Sequence, residues 1–400
     1  MAKADEGHLP SVEAVKPLHN SIPDDLAAGF DPTFLKYYNK YNAGRLATHQ
    51  VPIEKYRADP AKYTIVYGRD RVPNDGIKWS DLKCPVDGGE ITVRVFERVS
   101  STAGPRPVYV NYHGGGWVFG GLVTDFDLCK RIVHSIDCVV FDVDYRLSPE
   151  YQFPIPVNDA IAALHWIRDT KADEYGLDLS RVAIGGASAG GQLSAVVGHV
   201  CRDSGIPLAL QILAVPVTDL HVFTPEGPIR EDHPYASYKE LADTQPLSLE
   251  RMEWFHKQFL GSPRPEHLAN EWKVSPILAP NFADLAPALV VTAEMDVLRD
   301  EGEAYAEKMR QAGCAVELVR FKGAPHTFMQ LDGTWSNGFG ICVEPNADIG
   351  ESDPRIWQGV QQDCTGGSPE SVWALSSLFM VASASGAPPN MPGLGDISIQ

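Results

Sequence analysis

From about residue 90 onward, short apolar runs alternate with helical patterns, and no other feature restricts the chain's fold as tightly. "ITVRVF" alternates as a half-buried strand does, while "VYVNYH" (108–113) and "VVFDVDY" (139–145) are β-branched and apolar throughout. "VAIGG", "LQILAVPV", "ALVVTAE" and "VELVRF" supply further strands. "DFDLCKRIVHSI", "PVNDAIAALHWIRD" and the stretches 189–203 and 303–312 read as helices, the second opening with Pro156 where a missing N–H costs little. Strands that are apolar on both sides need cover on both faces. The alternation therefore predicts an α/β fold with a mostly parallel central sheet flanked by helices. A length of 400 residues suits one such domain with insertions.

Three regions depart from the alternation. The first ~60 residues are polar and punctuated by proline, with one helical signal in "DPTFLKYYNKYN". There Phe34, Tyr37, Tyr38 and Tyr41 fall on one helix face. Residues 218–275 are rich in proline, histidine and acidic side chains, and "LSLERMEWFHKQFL" puts Met252, Phe255 and Phe259 on one face, as expected of an insertion packed over the sheet edge. Residues 335–400 form a Gly/Pro/Ser-rich tail with one helical pattern, "SPESVWALSSLFMVAS", capped by Ser368 and Pro369.

Acidic residues outnumber basic ones by 52 to 34, for a formal charge of −18. A surface that negative repels phosphate backbones and anionic lipid, so no nucleic-acid partner is expected. No long apolar run marks a membrane span and no apolar leader marks secretion, so a cytoplasmic protein is the default expectation. Seven scattered cysteines, with no CxxC or HExxH, indicate neither a disulfide framework nor a metal site. No cofactor motif is present either: the glycine-rich turn at 185–191 lacks G-K-[ST] and the G-x-G-x-x-G spacing.

That turn, Gly186-Ala187-Ser188-Ala189-Gly190, fits G-x-S-x-G between a strand and a helix. A serine hydroxyl is a weak nucleophile unless it stands clear of its neighbours beside a base, and a sharp strand-to-helix turn achieves this only with small flanking residues. "YHGGGW" (112–117) ends an earlier strand, and its bare glycines leave N–H groups free to face an oxygen beside Ser188. Gly115, Gly116 and Ala189 are the expected oxyanion donors, with Gly114 the lesser contributor and His113 a structural residue of the loop. An acid and a histidine should follow in that order. Asp296 sits just past "ALVVTAE", whereas Asp300 and Glu301 suit the positive end of the next helix. His326 lies on "KGAPHTF" after the last strong strand; the other histidines apart from His113 fall on predicted helices, in the polar N-terminal segment or in the insertion. Ser188, Asp296 and His326 each follow a different strand, as residues gathered in one cleft of a doubly wound sheet must.

"HGGGW", "DYRLSPE", "GASAGG", "DVLRDEG" and "HTF" resemble, in order, the signatures of the hormone-sensitive lipase family of α/β-hydrolase esterases, from about Val108 to Phe328. The resemblance implies an α/β-hydrolase fold with a helical cap, Ser188 as nucleophile, His326 as general base and acid, and Asp296 as its orienting partner. Residues 1–60 and 218–275 would form the cap, 61–217 and 276–334 the core, and 335–400 an extension. Trp117, Trp254 and Phe255 are candidates to line the substrate pocket, with ordinary core packing as the alternative. The chain departs from the family pattern at Ala187, Val297 and Thr327, where Asp or Glu, Pro and Gly are usual, and none of these removes a catalytic group.

The expected activity is hydrolysis of a small-molecule carboxylic ester through an acyl-enzyme. A lactone, an amide or acyl transfer would use the same apparatus. A non-catalytic receptor on this fold, as in the plant gibberellin receptors, lacks the catalytic histidine, whereas His326 is present here. Oligomeric state is open, a homodimer being one option.

Overall fold

In the computed structural model, which describes residues 20–63, 76–100 and 104–330, eight strands make one sheet. They are β1 (Ile77–Val86), β2 (Gly89–Arg98), β3 (Arg106–Tyr112), β4 (Val139–Asp144), β5 (Leu177–Ala187), β6 (Leu210–Ala214), β7 (Ala288–Met295) and β8 (Val316–Pro325). The spatial order is β1-β2-β4-β3-β5-β6-β7-β8. β1 and β2 form a hairpin across Asp87–Gly88, and β2 runs antiparallel to β4 as well; every other pair is parallel. The hairpin turn suits the left-handed backbone of Gly88 (φ +76°).

Strand pleating sends alternate residues into two cores. Val108, Val110 and Tyr112 of β3 face one layer, with Phe141 and Val143 of β4 and the helices Ile155–Trp166 and Ala189–Asp203. Tyr109 and Val140 face the other, where the helix Phe126–Ser135 contributes Cys129, Ile132 and Val133. The helix Arg299–Gln311 covers β7 and β8, packing Tyr305 and Met309 on Leu213 and Val290. It begins earlier than the 303–312 expected, and so takes Asp300 and Glu301 into its first turn. β8 also outlasts the expected "VELVRF": pairing with β7 continues to Met295↔Pro325, helped by Gly323 N–H donating to Glu294 Oε2 at 2.6 Å.

The N-terminal segment and the insertion meet over the C-terminal ends of the central strands rather than at the sheet edge. In the insertion, Ser248 caps the helix Leu249–Leu260, accepting from Arg251 N–H at 3.3 Å, and Met252, Phe255 and Phe259 are buried. A short second helix, Ser237–Glu240, was not apparent in the sequence. The apolar face of the longer helix lands on the loop after β3, with Phe259 stacked on Trp117 at 4.2 Å. In the N-terminal segment Asp31 caps the helix Pro32–Tyr41 by accepting from Thr33 and Phe34 N–H. Phe34 and Tyr38 are buried, and Tyr38 Oη lies 3.2 Å from Gln245 Oε1 of the insertion. The tail after residue 330, with Cys342, Cys364 and its predicted helix, lies outside the described residues. Among the described residues no helix is long and apolar enough to cross a membrane. Cys84, Cys129, Cys138 and Cys201 are free and buried, and Cys314 is free and half-buried.

Glu301 ties the insertion to the core. Its fully buried carboxyl accepts from Thr218 N–H (2.6 Å), Asp219 N–H (3.3 Å) and Tyr238 O–H (2.7 Å). Glu301→Ala leaves three buried donors without an acceptor and should lower stability by about 3 kcal/mol, read as a drop in the urea midpoint.

A second buried carboxyl sits within the sheet. Asp142 pairs in register with Asn111, whose Nδ2 donates to it at 2.8 Å and to Asp125 at 3.1 Å, while Asp142 Oδ2 has no hydrogen-bond partner. Burial, then the Asp125 charge, pushes Asp142 up to about 8 from an ordinary 3.8. Below the ordinary value both folded and unfolded chains hold the proton, and the stabilising contribution is complete. As pH rises the unfolded chain ionises first, so the contribution falls and is lost once pH passes about 8. Asp142→Asn should flatten the stability–pH curve between these limits, as measured by urea unfolding across that range.

Candidate active site

β5 delivers Ser188 at a turn that only small residues permit. A Cβ on Gly186 would stand 2.1 Å from the Tyr112 carbonyl oxygen, and one on Gly190 would stand 1.8 Å from the same atom. The turn is thus pressed directly against the end of β3. Ser188 holds φ +58° and ψ −117°, a conformation uncommon for a non-glycine residue. Its N–H donates to Ala214 O at 2.8 Å, and its carbonyl accepts from Gln192 N–H, so both flanks of the strained residue are fixed.

Three side chains from three strand ends then line up. Ser188 Oγ lies 2.9 Å from His326 Nε2, and His326 Nδ1 lies 2.7 Å from Asp296 Oδ2. The carboxylate can only accept, so Nδ1 carries the hydrogen and Nε2 is free to accept the serine proton. Asp296 is fully buried and its other oxygen accepts from Leu298 N–H at 3.1 Å. Asp300, by contrast, turns away to Ser237 N–H (2.7 Å) and Arg299 (2.7 Å). A hydroxyl in this arrangement can lose its proton to the imidazole as it attacks an electrophile.

The loop after β3 faces the same hydroxyl. Gly115 and Gly116 have φ +122° and +61°, and a Cβ on Gly116 would fall inside the Phe255 ring. The Gly115 carbonyl accepts from Val118 and Phe119 N–H, while among the described backbone hydrogen bonds the N–H groups of Gly115 and Gly116 have no internal acceptor. Ala189 opens its helix, so its N–H is one of the first-turn donors without an intrahelical acceptor. His113 is fully buried, stacks on Tyr145 at 4.3 Å and donates through Nδ1 to Gly114 O at 2.8 Å. Burial pushes its imidazole down to about 4, leaving it neutral at pH 7. Arg57 of the N-terminal segment grips the loop from above, donating through Nη2 to Val118 O (2.8 Å) and Ser148 O (2.6 Å).

A cavity of about 360 Å³ opens onto Ser188, His326 and Gly114–Gly116. Trp117 and Phe255 line it, and Trp117 is anchored by donation from Nε1 to Gln192 Oε1 at 3.1 Å. Trp254 does not line it. That indole lies behind Phe119, stacked at 5.6 Å, because its neighbour Phe255 takes the inward face of the helix. The sequence reading missed Phe119, Met252, Arg45 and Arg251 on the wall. Phe119 stands two residues beyond the glycine motif, whereas no local pattern marks the two arginines. Among the described residues no group of three or more His, Cys, Asp or Glu side chains could hold a metal ion.

Comparison with known proteins matches residues 109–330 to a family model described as alpha/beta hydrolase fold. The carboxylic ester hydrolase LipN of Mycobacterium tuberculosis (strain ATCC 25618 / H37Rv) is 38% identical over 65% of this chain and 66% of its own length. An AB hydrolase superfamily protein of Schizosaccharomyces pombe (strain 972 / ATCC 24843) is 31% identical over 82% of this chain and 94% of its own. Among solved structures, a thermostable esterase from Pseudomonas putida ECU1011 superposes with a TM-score of 0.65 at 32% identity, covering 76% of this chain and 90% of that one. With eight strands in this order, a strand–serine–helix turn and relatives matched over most of its length, the chain belongs to the α/β-hydrolase family.

Proposed function

We propose that the chain is a serine carboxylesterase of the hormone-sensitive lipase type, cleaving small to medium carboxylic esters through an acyl-enzyme. The observation that carries this reading is the line from Ser188 Oγ through His326 to buried Asp296, opening onto a cavity of about 360 Å³. The ester hydrolases among its relatives support the reaction class, and "HGGGW" followed by "GASAGG" supports the subfamily.

His326 Nε2 takes the Ser188 proton as Oγ attacks the ester carbonyl. The carbonyl oxygen becomes negative and accepts from the N–H groups of Gly115, Gly116 and Ala189, fixed donors worth about 3 kcal/mol of barrier each. His326 then gives its proton to the departing alcohol oxygen as the carbonyl reforms. Water repeats the sequence on the acyl-serine, losing its proton to His326 and releasing the acid. Asp296 holds the Nδ1–H tautomer and stabilises the imidazolium that forms twice per turnover. In this reading residues 1–60 and 218–275 cap the site and 61–217 with 276–334 carry it. A lactone, an amide or an alcohol acceptor would pass through the same acyl-serine.

Ser188→Ala and His326→Ala should each cut kcat on p-nitrophenyl butyrate at least about a thousandfold, with the circular dichroism spectrum and melting temperature retained. Substantial turnover by either folded variant would remove the assignment. Asp296→Asn should cost about 10⁴ in kcat through the wrong imidazole tautomer, whereas Asp300→Asn should cost little. The reverse ranking would move the orienting role to Asp300.

A further inference from the structure

The glycine loop after β3 is held from the N-terminal segment as well as from the core. A trans peptide group points its C=O and its N–H in opposite directions, so whatever holds a carbonyl also aims the next residue's N–H. His113 Nδ1 donates to Gly114 O at 2.8 Å from the buried side, which turns the Gly115 N–H the other way. Gly115 O accepts from Val118 N–H (3.2 Å) and Phe119 N–H (2.9 Å), which does the same for the Gly116 N–H. The carbonyl at the far side of the Phe119 peptide group is Val118 O, and it accepts from Arg57 Nη2 at 2.8 Å and Nε at 3.2 Å. Two peptide groups in hydrogen-bonded sequence thus connect a guanidinium on the helix Ile53–Ala58 to the Gly116 N–H.

The guanidinium is itself fixed on every side. Nη2 also donates to Ser148 O at 2.6 Å, and Nη1 donates to both carboxylate oxygens of Glu150, at 2.8 and 2.9 Å. Ser148 N–H in turn donates to Trp117 O at 2.8 Å, and the ring of Tyr56, beside Arg57 in the chain, packs on Phe119 at 4.4 Å. The Glu150 side chain is 54% exposed, and an ion pair to so exposed a carboxylate adds little stability. What the arrangement does accomplish is to aim and polarise: a cation at one end of a hydrogen-bonded chain of amides strengthens the donor at the other. Resting on the esterase reading above, we propose that Arg57 is a positioning residue for the oxyanion donors, acting on the Gly116 N–H through the two intervening peptide groups. The N-terminal segment then bears on the rate of the acyl-transfer steps, because the negative oxygen that these donors meet exists in the transition state and not in the bound ester.

Hydrolysis of p-nitrophenyl butyrate and inhibition by a matched pair of compounds test this. Butyl trifluoromethyl ketone is attacked by Ser188 Oγ at its carbonyl carbon. The carbonyl electron pair moves to oxygen, the serine proton passes to His326 and nothing departs, so its inhibition constant reads the oxyanion site. The secondary alcohol obtained by reducing that ketone has the same skeleton without a carbonyl and reads cavity binding alone. Arg57→Met should lower kcat/KM at least about tenfold and raise the ketone's inhibition constant by a similar factor, with the alcohol's unchanged. Arg57→Lys, which keeps the charge and a donor without the fork, should fall between. A merely structural role would lower the melting temperature and leave the ketone-to-alcohol ratio untouched at room temperature, as Asp31→Ala, which removes only the N-cap of the neighbouring helix, should do. Folded Arg57→Met protein with wild-type kcat/KM, or with both inhibitors weakened alike, would overturn the inference and leave the esterase reading standing. No turnover of p-nitrophenyl acetate, butyrate or octanoate by the folded wild-type chain would take down both. Should the methionine variant fail to fold, Arg57→Lys decides alone: a ketone-to-alcohol ratio of inhibition constants raised at least about threefold upholds the proposal, and a smaller change overturns it.

Discussion

The backbone of the Ser188 turn lies in van der Waals contact with the end of β3, and the geometry of the site descends from that contact. Two missing side chains make it possible, since a Cβ on either Gly186 or Gly190 would drive into the Tyr112 carbonyl. Because the turn closes on β3, the loop that leaves β3 is brought beside the serine hydroxyl without any side chain between them. The same closeness forces Ser188 to a positive φ, and hydrogen bonds from its N–H and to its carbonyl hold it there. β7 and β8 then need only end at the same level for Asp296 and His326 to fall into line, and their ladder, extended to Met295↔Pro325, sets that level.

Above this floor lie two segments far apart in sequence that share one apolar core. Phe34 and Tyr38 from the N-terminal helix belong to the same buried cluster as Met252, Phe255 and Phe259 from the insertion. Each segment is also held by specific polar ties to the body. Asp31 N–H donates to Gly323 O, Arg57 holds the loop after β3, and Glu301 gathers Thr218, Asp219 and Tyr238. Phe255 connects this architecture to the chemistry, because its ring sits where a Cβ of Gly116 would have been. Cap position and glycine-loop position are therefore a single packing problem.

The net charge of −18 is a sum over the whole chain and does not describe its cavity. Charge counted along a chain averages over surfaces that face different things, and the described wall around Ser188 carries arginine without carboxylate. Residues from positions 45, 251 and 188 share that wall only after the N-terminal segment and the insertion have folded over the sheet.

Local pattern determined a good deal. Fully apolar strands between helices require a sheet covered on both faces, and that is the sheet observed. The small residues around Ser188 and the three glycines after His113 are backbone requirements, which leave their mark on consecutive positions, whereas Asp296 and His326 are marked only by chain order after a strand; the side chains of all three lie in hydrogen-bond line. Long-range packing decided the rest. Trp254 and Phe255 are equally aromatic neighbours on one helix, and only the direction in which that helix docks put Phe255 on the cavity wall and Trp254 behind Phe119. The insertion was expected at the sheet edge and lies over the strand ends, because its apolar face matched the surface offered by Trp117. Sequence fixes what each stretch must bury or expose; which distant stretch it buries against is a property of the folded chain alone, since that choice is made by shape and charge assembled from positions hundreds of residues apart.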